Sequence, residues 1–357
     1  MIEMRPFDPN SATSAEWAAV HVFRRARNEE DTPDEPVPED AEFVRQTRHR
    51  WPLYENRRWH AWAGDEIAGV IGWSFRREAT ADYDDYAAYL YGWSGVRTHR
   101  RRQGIATDLL RPLRNFMHER NKSVATFETS LPDGHAFLTA IGGALKHEQI
   151  ESRAPAANVD WAMLARWRDA AIPKDAQLHW EIHADRVPRE RIESLIPQFE
   201  ALNADLPLGE LDIPPIRSEL PAWLAWYEEL DRHGGDHTLI MLVERDAIAA
   251  VCESAWDARY PDRVYQMLTA VARPWRGRGL AKGVKAAMMR LIHDRHPDIR
   301  FIATSNANVN APILSINKRL GFAEHRRTAS YQIGLDAISD YLARRVASVR
   351  FKQPRGS

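Results

Sequence analysis

The sequence predicts a mixed α/β (α+β) protein made of two tandem copies of one domain, on three observations. Its 357 residues are enough for two domains at about 100–200 residues each. The pattern V-x4-R-x-x-G-x-A begins at Val96 and again at Val271, about half a chain later. The same order of strand-like and helix-like segments surrounds both occurrences, as expected for an internal repeat.

Three strands precede the motif in each half. Two apolar segments joined by a tight polar turn predict a hairpin, and a third apolar segment runs into the motif. The Tyr, Trp, Val and Leu residues of these segments fit a pleated surface. The predicted strands span residues 58–63, 67–75 and 86–96 in the first half, and 238–243, 247–252 and 263–271 in the second.

An amphipathic helix follows each motif. In the second half, Leu280, Val284 and Leu291 recur at the spacing that places apolar residues on one helix face. A further strand, a short helix and a last strand then close each copy. We therefore expect an N-terminal domain at residues 1–172, a C-terminal domain at 173–335, and a C-terminal helix and tail at 336–357.

Composition excludes several classes of protein. A formal net charge of −1 argues against a globally basic nucleic-acid binder, and no apolar run approaches the roughly 18 residues of a membrane span. The N-terminus is too mixed for a signal peptide, and the single cysteine, Cys252, has no partner for an intramolecular disulfide. No Cys/His cluster or H-E-x-x-H spacing predicts a metal. We expect a cytoplasmic protein without metal, nucleic-acid or membrane partners.

The repeated motif has the physical features of an anion site. A strand that enters a glycine-containing turn and opens a helix directs unpaired backbone N–H groups and the positive end of the helix dipole at one point. Gly279 allows close approach of a phosphate, Gly277 loosens the turn, and Arg276 and Arg278 add positive charge. A solvated surface turn is the alternative for a single motif, but the duplication favours a pyrophosphate site. Neither a P-loop nor the dinucleotide fingerprint is present.

These motifs and their strand order resemble the GCN5-related N-acetyltransferase (GNAT) family, as a tandem pair. The resemblance implies, for each domain, a mixed and mostly antiparallel sheet flanked by helices, with a splayed strand pair at an acetyl-CoA site. It also implies that acetyl-CoA (coenzyme A) is held at the turn through its pyrophosphate. The residues that match are Val271, Arg276, Gly277, Arg278, Gly279, Leu280 and Ala281 in the second half, and Val96, Arg101, Gln103, Gly104 and Ala106 in the first.

A second element of the resemblance lies only in the C-terminal half. The segment from Thr304 to Phe322, which includes Asn306, resembles the family's stretch that contacts the pantetheine arm, with Asn310 and Gly321-Phe322 in matching places. Asn317 stands where the family commonly has the tyrosine proposed as general acid. An amide cannot donate a proton in that sense, but it can hydrogen-bond the thiol or the arm. Bonding to local backbone is the alternative role for Asn317.

The C-terminal copy is predicted to be the catalytic one. The first half has no Asn or Tyr in the matching places, so it is expected to bind acetyl-CoA without catalysing or to serve as a scaffold. Glu253, in an otherwise apolar strand, is the candidate base, with a solvent-facing position as the alternative. A backbone N–H near Val271 would polarise the acyl carbonyl, as in the family. Tyr265, Gln266 and Thr269 are expected to line the substrate cleft.

The resemblance predicts an acetyl-CoA-dependent N-acetyltransferase that acts on the primary amine of a small molecule, such as an antibiotic, an amino sugar or an amino-acid derivative. A protein or peptide amine is the alternative acceptor. A non-catalytic acyl-CoA-binding or sensing module is the alternative class, because both halves lack the tyrosine. The protein is expected to be a monomer or a homodimer, since a tandem pair already supplies two copies of the fold.

Overall fold

A computed structural model describes residues 2–214 and 216–352, and its contacts divide the chain into two compact units. The first unit contains residues 2–147, 210–214 and 329–352, and the second contains residues 148–209 and 216–328. This division differs from the predicted boundaries after residues 172 and 335. Of the predicted tail at 336–357, the described part belongs to the first unit, and residues 353–357 lie outside the described residues.

The first unit holds most of the N-terminal half. Its elements are β1 (Ile2–Pro6), α1 (Ser14–Asp31), α2 (Asp40–Arg48), β2 (Tyr54–Ala63), β3 (Glu66–Arg76), α3 (Tyr83–Tyr86), β4 (Tyr89–Val96), α4 (Ile105–Glu119), β5 (Val124–Thr129) and α5 (Pro132–Ala140). Strands β1 to β4 are antiparallel neighbours in chain order, and β5 pairs parallel to β4. Strand β6 (Ala144–Pro155) begins at the end of this unit and continues into the second.

The second unit repeats the order of elements of the first, with two exceptions. Its elements are α6 (Trp161–Asp169), β7 (His179–His183), α7 (Arg189–Asn203), α8 (Leu220–Arg232), β8 (Asp236–Glu244), β9 (Ala247–Trp256), β10 (Arg263–Val271), α9 (Leu280–Arg295), β11 (Phe301–Ala307) and α10 (Ala311–Arg319). Helix α6 precedes the first strand of this unit, and the unit's described residues have no counterpart of α3. Strands β7 to β10 are antiparallel neighbours, and β11 pairs parallel to β10. Strand β12 (Ala323–Gly334) and helix α11 (Leu335–Lys352) end the described chain.

Each unit is closed by a strand from the other half of the sequence. Residues 149–155 of β6 pair antiparallel with β11 in the second unit, whereas residues 329–334 of β12 pair antiparallel with β5 in the first. The expectation that each copy closes on its own last strand was therefore wrong. The alternation of side chains along a strand sets which face is buried but not which strand is its partner.

Each sheet is covered by helices on both faces, which confirms the predicted α/β class with mostly antiparallel pairing. In the first unit α4 and α11 cover one face and α1 the other. In the second unit α6 and α9 cover one face, and α7 and α8 cover the other. None of the described helices combines the length and apolar composition needed to cross a bilayer.

The close contact between α6 and α9 generates a prediction about stability. A Cβ atom added at Gly283 of α9 would lie 2.4 Å from the Cβ of Ala171, so a larger side chain has no space there. We expect Gly283→Leu to lower the free energy of unfolding by about 1–3 kcal/mol, because overpacking displaces neighbouring atoms. Urea denaturation measures this change.

The matched control is Asp294→Leu on the exposed side of the same helix. It is expected to change the free energy of unfolding by less than about 0.5 kcal/mol. Equal stability of the Gly283→Leu variant and the parent chain would show that the two helices are not in contact at this position.

Candidate functional site

The two repeated motifs fold into the same turn. Gly104 and Gly279, which immediately precede α4 and α9, have φ angles of 85° and 86°. Two residues earlier, Gly277 has a φ of 77° and Arg102 has a φ of 63°. A side chain in this left-handed region costs about 1–2 kcal/mol, a strain that the second copy avoids with glycine. The repeated sequence is therefore also a repeated conformation.

The helix that follows each turn directs unpaired N–H groups outward. Helix α4 begins at Ile105, and its first helical hydrogen bond runs from the N–H of Asp108 to the carbonyl of Gly104. The N–H groups of residues 105–107, and of 280–282 at the start of α9, therefore have no partner within their helices. Together with the helix dipole they form a site for an anion at each turn.

The first arginine of each motif braces the turn. The Nε atom of Arg101 donates to the carbonyl oxygen of Val96 at 3.2 Å, and that of Arg276 donates to Val271 at 3.1 Å. Each bond ties the turn to the last residue of the preceding strand. The structure thus brings together the predicted pairs of valine and arginine in both copies.

Both bracing arginines also meet a carboxylate near the end of the first long helix of their unit. Arg101 lies 3.4 Å from Asp31, and Arg276 lies 2.6 Å from Asp205. Arg273, which also pairs with Asp205, and Arg276 hold the pKa of that carboxyl below its usual value. Carboxylates of the protein therefore neutralise part of the arginine charge, which leaves the backbone N–H groups as the main donors toward a phosphate.

The remaining residues predicted at the turns have less uniform surroundings. Arg278 lies 3.5 Å from Asp175 and over the indole ring of Trp275. The side-chain amide of Gln103 donates to the carbonyl of His99 at 3.3 Å. Leu280 is buried in the core of the second unit, and Ala281 follows it in the first turn of α9.

A cavity of about 510 Å³ lies at the turn of the first copy. Its walls include Val96, Arg101, Gly104 and Ala106, all predicted to bind a cofactor. The hydroxyl of Tyr341 on α11 lies 3.2 Å from that of Thr107, beside the free helix N-terminus. The first copy therefore retains a pocket where a phosphate-bearing ligand would reach the turn.

In the second copy the parallel strand pair separates at a β-bulge. The pairing of β10 with β11 ends at Gln266 and Thr304. On its other side, β10 shifts register against β9, so that the two residues 267 and 268 oppose the single residue Glu253. Bulges of this kind leave backbone groups outside the ladder and are frequent beside active sites. The predicted splayed strand pair is confirmed, and Glu253 lies directly across from it.

Glu253 ends a buried chain of hydrogen bonds. Its Oε1 atom lies 3.2 Å from Nε2 of His237, and Nδ1 of His237 lies 2.7 Å from the hydroxyl of Tyr227. That hydroxyl also accepts a hydrogen bond from the N–H of Val187, which leaves its proton available for Nδ1 of His237. With Tyr227 as the donor to Nδ1, Nε2 of His237 is the nitrogen that donates to Glu253. Glu253 is only 9% exposed, which excludes the alternative of a solvent-facing carboxylate.

Sequence reasoning missed both partners of Glu253. His237 interrupts an otherwise apolar strand, and this was the available signal. Tyr227 lies on α8, where nothing in the sequence relates it to β8 or β9. Indole rings of Trp223 and Trp226 surround the imidazole of His237, and burial raises the pKa of Tyr227.

Polar atoms without partners cluster where β10 and β11 separate. Among the described residues, both amide atoms of Gln266, the hydroxyl of Thr304 and Oδ1 of Asn317 are buried and make no hydrogen bond. The amide nitrogen of Asn317 donates to Oδ1 of Asn306 at 2.6 Å, so its bond is to a side chain and not to local backbone. Buried polar atoms left unpaired are costly, so these amides suit a ligand that carries its own amide groups.

The other predicted substrate residues are not all brought together. Gln266 is buried on the α9 side, and the hydroxyl of Thr269 lies 3.3 Å from Sγ of Cys252 in the same core. Tyr265 points to the opposite face, because side chains alternate along a strand, and is 41% exposed. Asn310 is the residue that precedes α10, and its side chain makes no capping hydrogen bond.

The first copy lacks the bulge and the carboxylate. Strands β3 and β4 pair in continuous register, from Gly69 opposite Val96 to Ser74 opposite Tyr91. Val271 pairs with Ala250, and Val96, its counterpart in the first copy, pairs with Gly69. Glu253 lies three residues after Ala250, and Gly72 lies three residues after Gly69. A glycine therefore occupies the position that the second copy gives to Glu253.

Part of the first copy matches a known protein family. Residues 20–140 match the model of the acetyltransferase (GNAT) family. The sequence has no significant match among curated proteins.

Three solved structures share the fold. A tandem GNAT protein from the clavulanic acid biosynthesis pathway is 17% identical, with a TM-score of 0.69 over 94% of this chain and 99% of that one. A GCN5-related N-acetyltransferase from Sphaerobacter thermophilus is 16% identical, with a TM-score of 0.64 over 94% and 96%. A GCN5-related glucosamine N-acetyltransferase region of a fungal β-N-acetylglucosaminidase is 12% identical, with a TM-score of 0.60 over 93% and 38%. These likenesses confirm the tandem GNAT fold.

Lys285 generates a prediction about pH. It is fully buried on α9, and burial lowers its pKa from 10.5 to about 8. Between these two values the unfolded chain holds a proton that the folded protein has released, so the free energy of unfolding rises with pH. From pH 7.5 to 9.5 this contribution is about 2 kcal/mol.

Urea unfolding of the parent chain and of Lys285→Met at both pH values isolates the effect. The difference in unfolding free energy between the parent and Lys285→Met is expected to change with pH. The difference between the parent and Lys282→Met, which replaces a nearby lysine on the same helix, is expected to stay constant. Parallel pH dependence of the Lys285→Met variant and the parent would contradict the buried, weakly basic amine.

Proposed function

We propose that the chain is a GNAT acetyltransferase that transfers an acetyl group from acetyl-CoA to a primary amine in its second copy. The match of residues 20–140 to the GNAT family model and the likeness to tandem GNAT folds support this proposal. The observation that carries the proposal is the position of Glu253, opposite the β-bulge where β10 and β11 separate. Glu253 as a base then lies beside the backbone N–H groups of the bulge and the gap between β10 and β11 where the cofactor would bind.

Acetyl-CoA fits the groups that the second copy offers. The N–H groups of residues 280–282 would take the pyrophosphate. The unpaired amide of Gln266, the hydroxyl of Thr304 and Oδ1 of Asn317 would meet the amides of the pantetheine arm. When bound, acetyl-CoA supplies the acetyl group as an activated thioester. Residues 267 and 268, outside the regular ladder, supply backbone N–H groups at the place where charge develops on an acyl oxygen.

The hydrogen-bonded chain of the second copy prepares Glu253 to accept a proton. An amine attacks only when neutral, so its proton must be removed, and Glu253 accepts it directly or through a water molecule. His237 donates from Nε2 and holds the carboxylate in place, while Tyr227 fixes the tautomer of His237. Asn317 carries no acidic proton, so the departing thiolate takes its proton from solvent.

A small molecule is the proposed acceptor. The carboxylate of Glu253 is almost fully buried, and Trp223 and Trp226 enclose its partner His237, which supports an acceptor that enters as a compact group. Antibiotics, amino sugars and amino-acid derivatives all meet this description. A protein or peptide amine is the alternative acceptor, and a non-catalytic acyl-CoA sensor is the alternative class.

Replacement of the base tests the proposal. We expect Glu253→Gln to lower kcat roughly 100-fold or more while the KM for acetyl-CoA changes little, because the amide keeps the shape and loses the basicity. The assay follows thiol release from acetyl-CoA in the presence of a panel of primary amines. Glu244→Gln, at the exposed end of β8, is the matched control and is expected to keep full activity.

Two results would count against this assignment. Thiol release that does not depend on any amine, small or peptidic, would favour a sensor over a transferase. A Glu253→Gln variant as active as the parent would remove Glu253 from the mechanism.

The different roles proposed for the two copies generate a further prediction. We propose that the first copy binds acetyl-CoA without catalysing, which its cavity and its lack of a bulge support. Isothermal titration is then expected to find two coenzyme A molecules per chain. Gly104→Glu and Gly279→Glu each place a carboxylate and a strained left-handed side chain at one turn, and each is expected to remove one site.

Only Gly279→Glu is expected to abolish amine-dependent turnover. Retained activity in that variant, together with its loss in Gly104→Glu, would move the catalytic centre to the first copy.

A further inference from the structure

A second and larger cavity lies in the first unit, on the face of the sheet covered by α1. It has a volume of about 970 Å³ and is bounded by the loop between β1 and α1, the end of α2, strand β2 and Trp93 of β4. We call it the Arg58 cavity, after the side chain at its centre. Neither the motif turn nor the free N-terminus of α4 contributes to its walls.

A guanidinium without a counter-ion projects into the Arg58 cavity. Among the described residues, the guanidinium of Arg58 has no hydrogen-bond or ion-pair partner, and burial lowers its pKa to about 10, so it remains charged at neutral pH. The rings of Phe7 and Trp93 flank it, each centroid 5.9 Å from the guanidinium carbon. Arg58 is half-buried, and a charge partly removed from water without a partner is unusual, because its desolvation is costly.

The sheet register builds this arrangement. Arg58, Gly72 and Trp93 are opposite one another on β2, β3 and β4. The indole of Trp93 lies over Gly72, where an added Cβ would be only 2.3 Å from the ring. Phe7 reaches the other side of Arg58 because its N–H donates to the Arg58 carbonyl at 2.9 Å. Gly72 is also the residue that stands in place of Glu253, and Arg58, which pairs with Gly72, stands in place of Leu239.

The carboxylates that line the cavity are all engaged elsewhere. Asp8 accepts hydrogen bonds from the backbone of Asn10 and from Ser11 within its own turn. Glu16 accepts from Thr13 in the capping box of α1. Glu55 pairs with other arginines of the cavity wall, at 3.1 and 3.3 Å. None of the three is bonded to Arg58.

The cavity has an excess of positive charge. Five arginines and three carboxylates line it: Arg48, Arg50, Arg57, Arg58 and Arg77, with Asp8, Glu16 and Glu55. His60, two residues from Arg58 on the same face, stacks on Phe7, and burial lowers its pKa to about 3. It therefore stays neutral and adds no competing charge. Of the lining arginines without a carboxylate partner among the described residues, Arg48 and Arg50 are exposed and Arg58 is the least exposed.

We propose that the Arg58 cavity binds a small carboxylate with a flat apolar body, the carboxylate on the guanidinium of Arg58 and the body against Trp93 and Phe7. A guanidinium presents paired donors that match the two oxygens of a carboxylate, which gives a strong and oriented contact. The aromatic walls suit a planar apolar group. This proposal concerns binding alone and stands or falls independently of acetyl transfer.

Ligand-observed NMR titration of the full chain tests it, with benzoate as probe and benzamide as its neutral match. Saturating coenzyme A is present throughout, so that the motif turns are occupied. We expect benzoate to bind at least tenfold more tightly than benzamide. Arg58→Gln is expected to weaken benzoate roughly tenfold and to leave benzamide unchanged.

Two further variants make the result specific. Trp93→Ala removes an aromatic wall at a partly exposed position and is expected to weaken both probes severalfold. Arg111→Gln makes the same change of charge on α4, outside the cavity, and is expected to change neither. Equal affinities for benzoate and benzamide, or benzoate binding unaffected by Arg58→Gln in a variant that unfolds like the parent, would overturn the proposal.

Discussion

Both halves of the protein depend on a pair of parallel strands that separate after four paired residues. In the first unit β4 and β5 pair as far as Gly92 and Phe127, and in the second β10 and β11 pair as far as Gln266 and Thr304. The separation leaves the end of the central strand free to enter the motif turn. That turn needs left-handed backbone, and it aligns the N–H groups of the following helix toward an anion. Both copies therefore require the same separation of parallel strands and the same left-handed turn.

Differences between the copies are concentrated beside the separated strands. The second copy has a β-bulge, the buried chain from Tyr227 through His237 to Glu253, and unpaired amides near Asn317. The first has regular pairing and a glycine in place of the carboxylate, beside an unpaired arginine. The two copies therefore carry different polar groups beside the separated strands, and this difference supports the proposal of one catalytic copy and one that only binds ligands. The family model matches residues 20–140 in the first copy, whereas the carboxylate beside the bulge lies in the second.

The repeat made much of the fold predictable, because the strands, the turn and the helix are all encoded by local patterns. Val271, Arg276 and Gly279 could be placed from the sequence for this reason, and so could Glu253, as a carboxylate in an apolar strand. The partners that these strands pair with could not be predicted from local patterns. The exchange of β6 and β12 between units, and the approach of Tyr227 to His237, are long-range contacts between segments whose local patterns fit other partners equally well. Arg58 could not be identified from the sequence, because its importance depends on the absence of a carboxylate beside its guanidinium among the described residues of the folded chain.

A crystal structure of the full chain with a non-hydrolysable acetyl-CoA analogue tests the central claim most directly. We expect an analogue in the second copy with its acyl oxygen at the bulge of residues 267 and 268 and its acyl carbon on the side of β10 that faces Glu253. We also expect an analogue in the first copy, without a carboxylate beside its acyl group. An acyl group ordered only in the first copy, with the second turn empty and its amides hydrogen-bonded to water, would contradict the proposal of catalysis in the second copy.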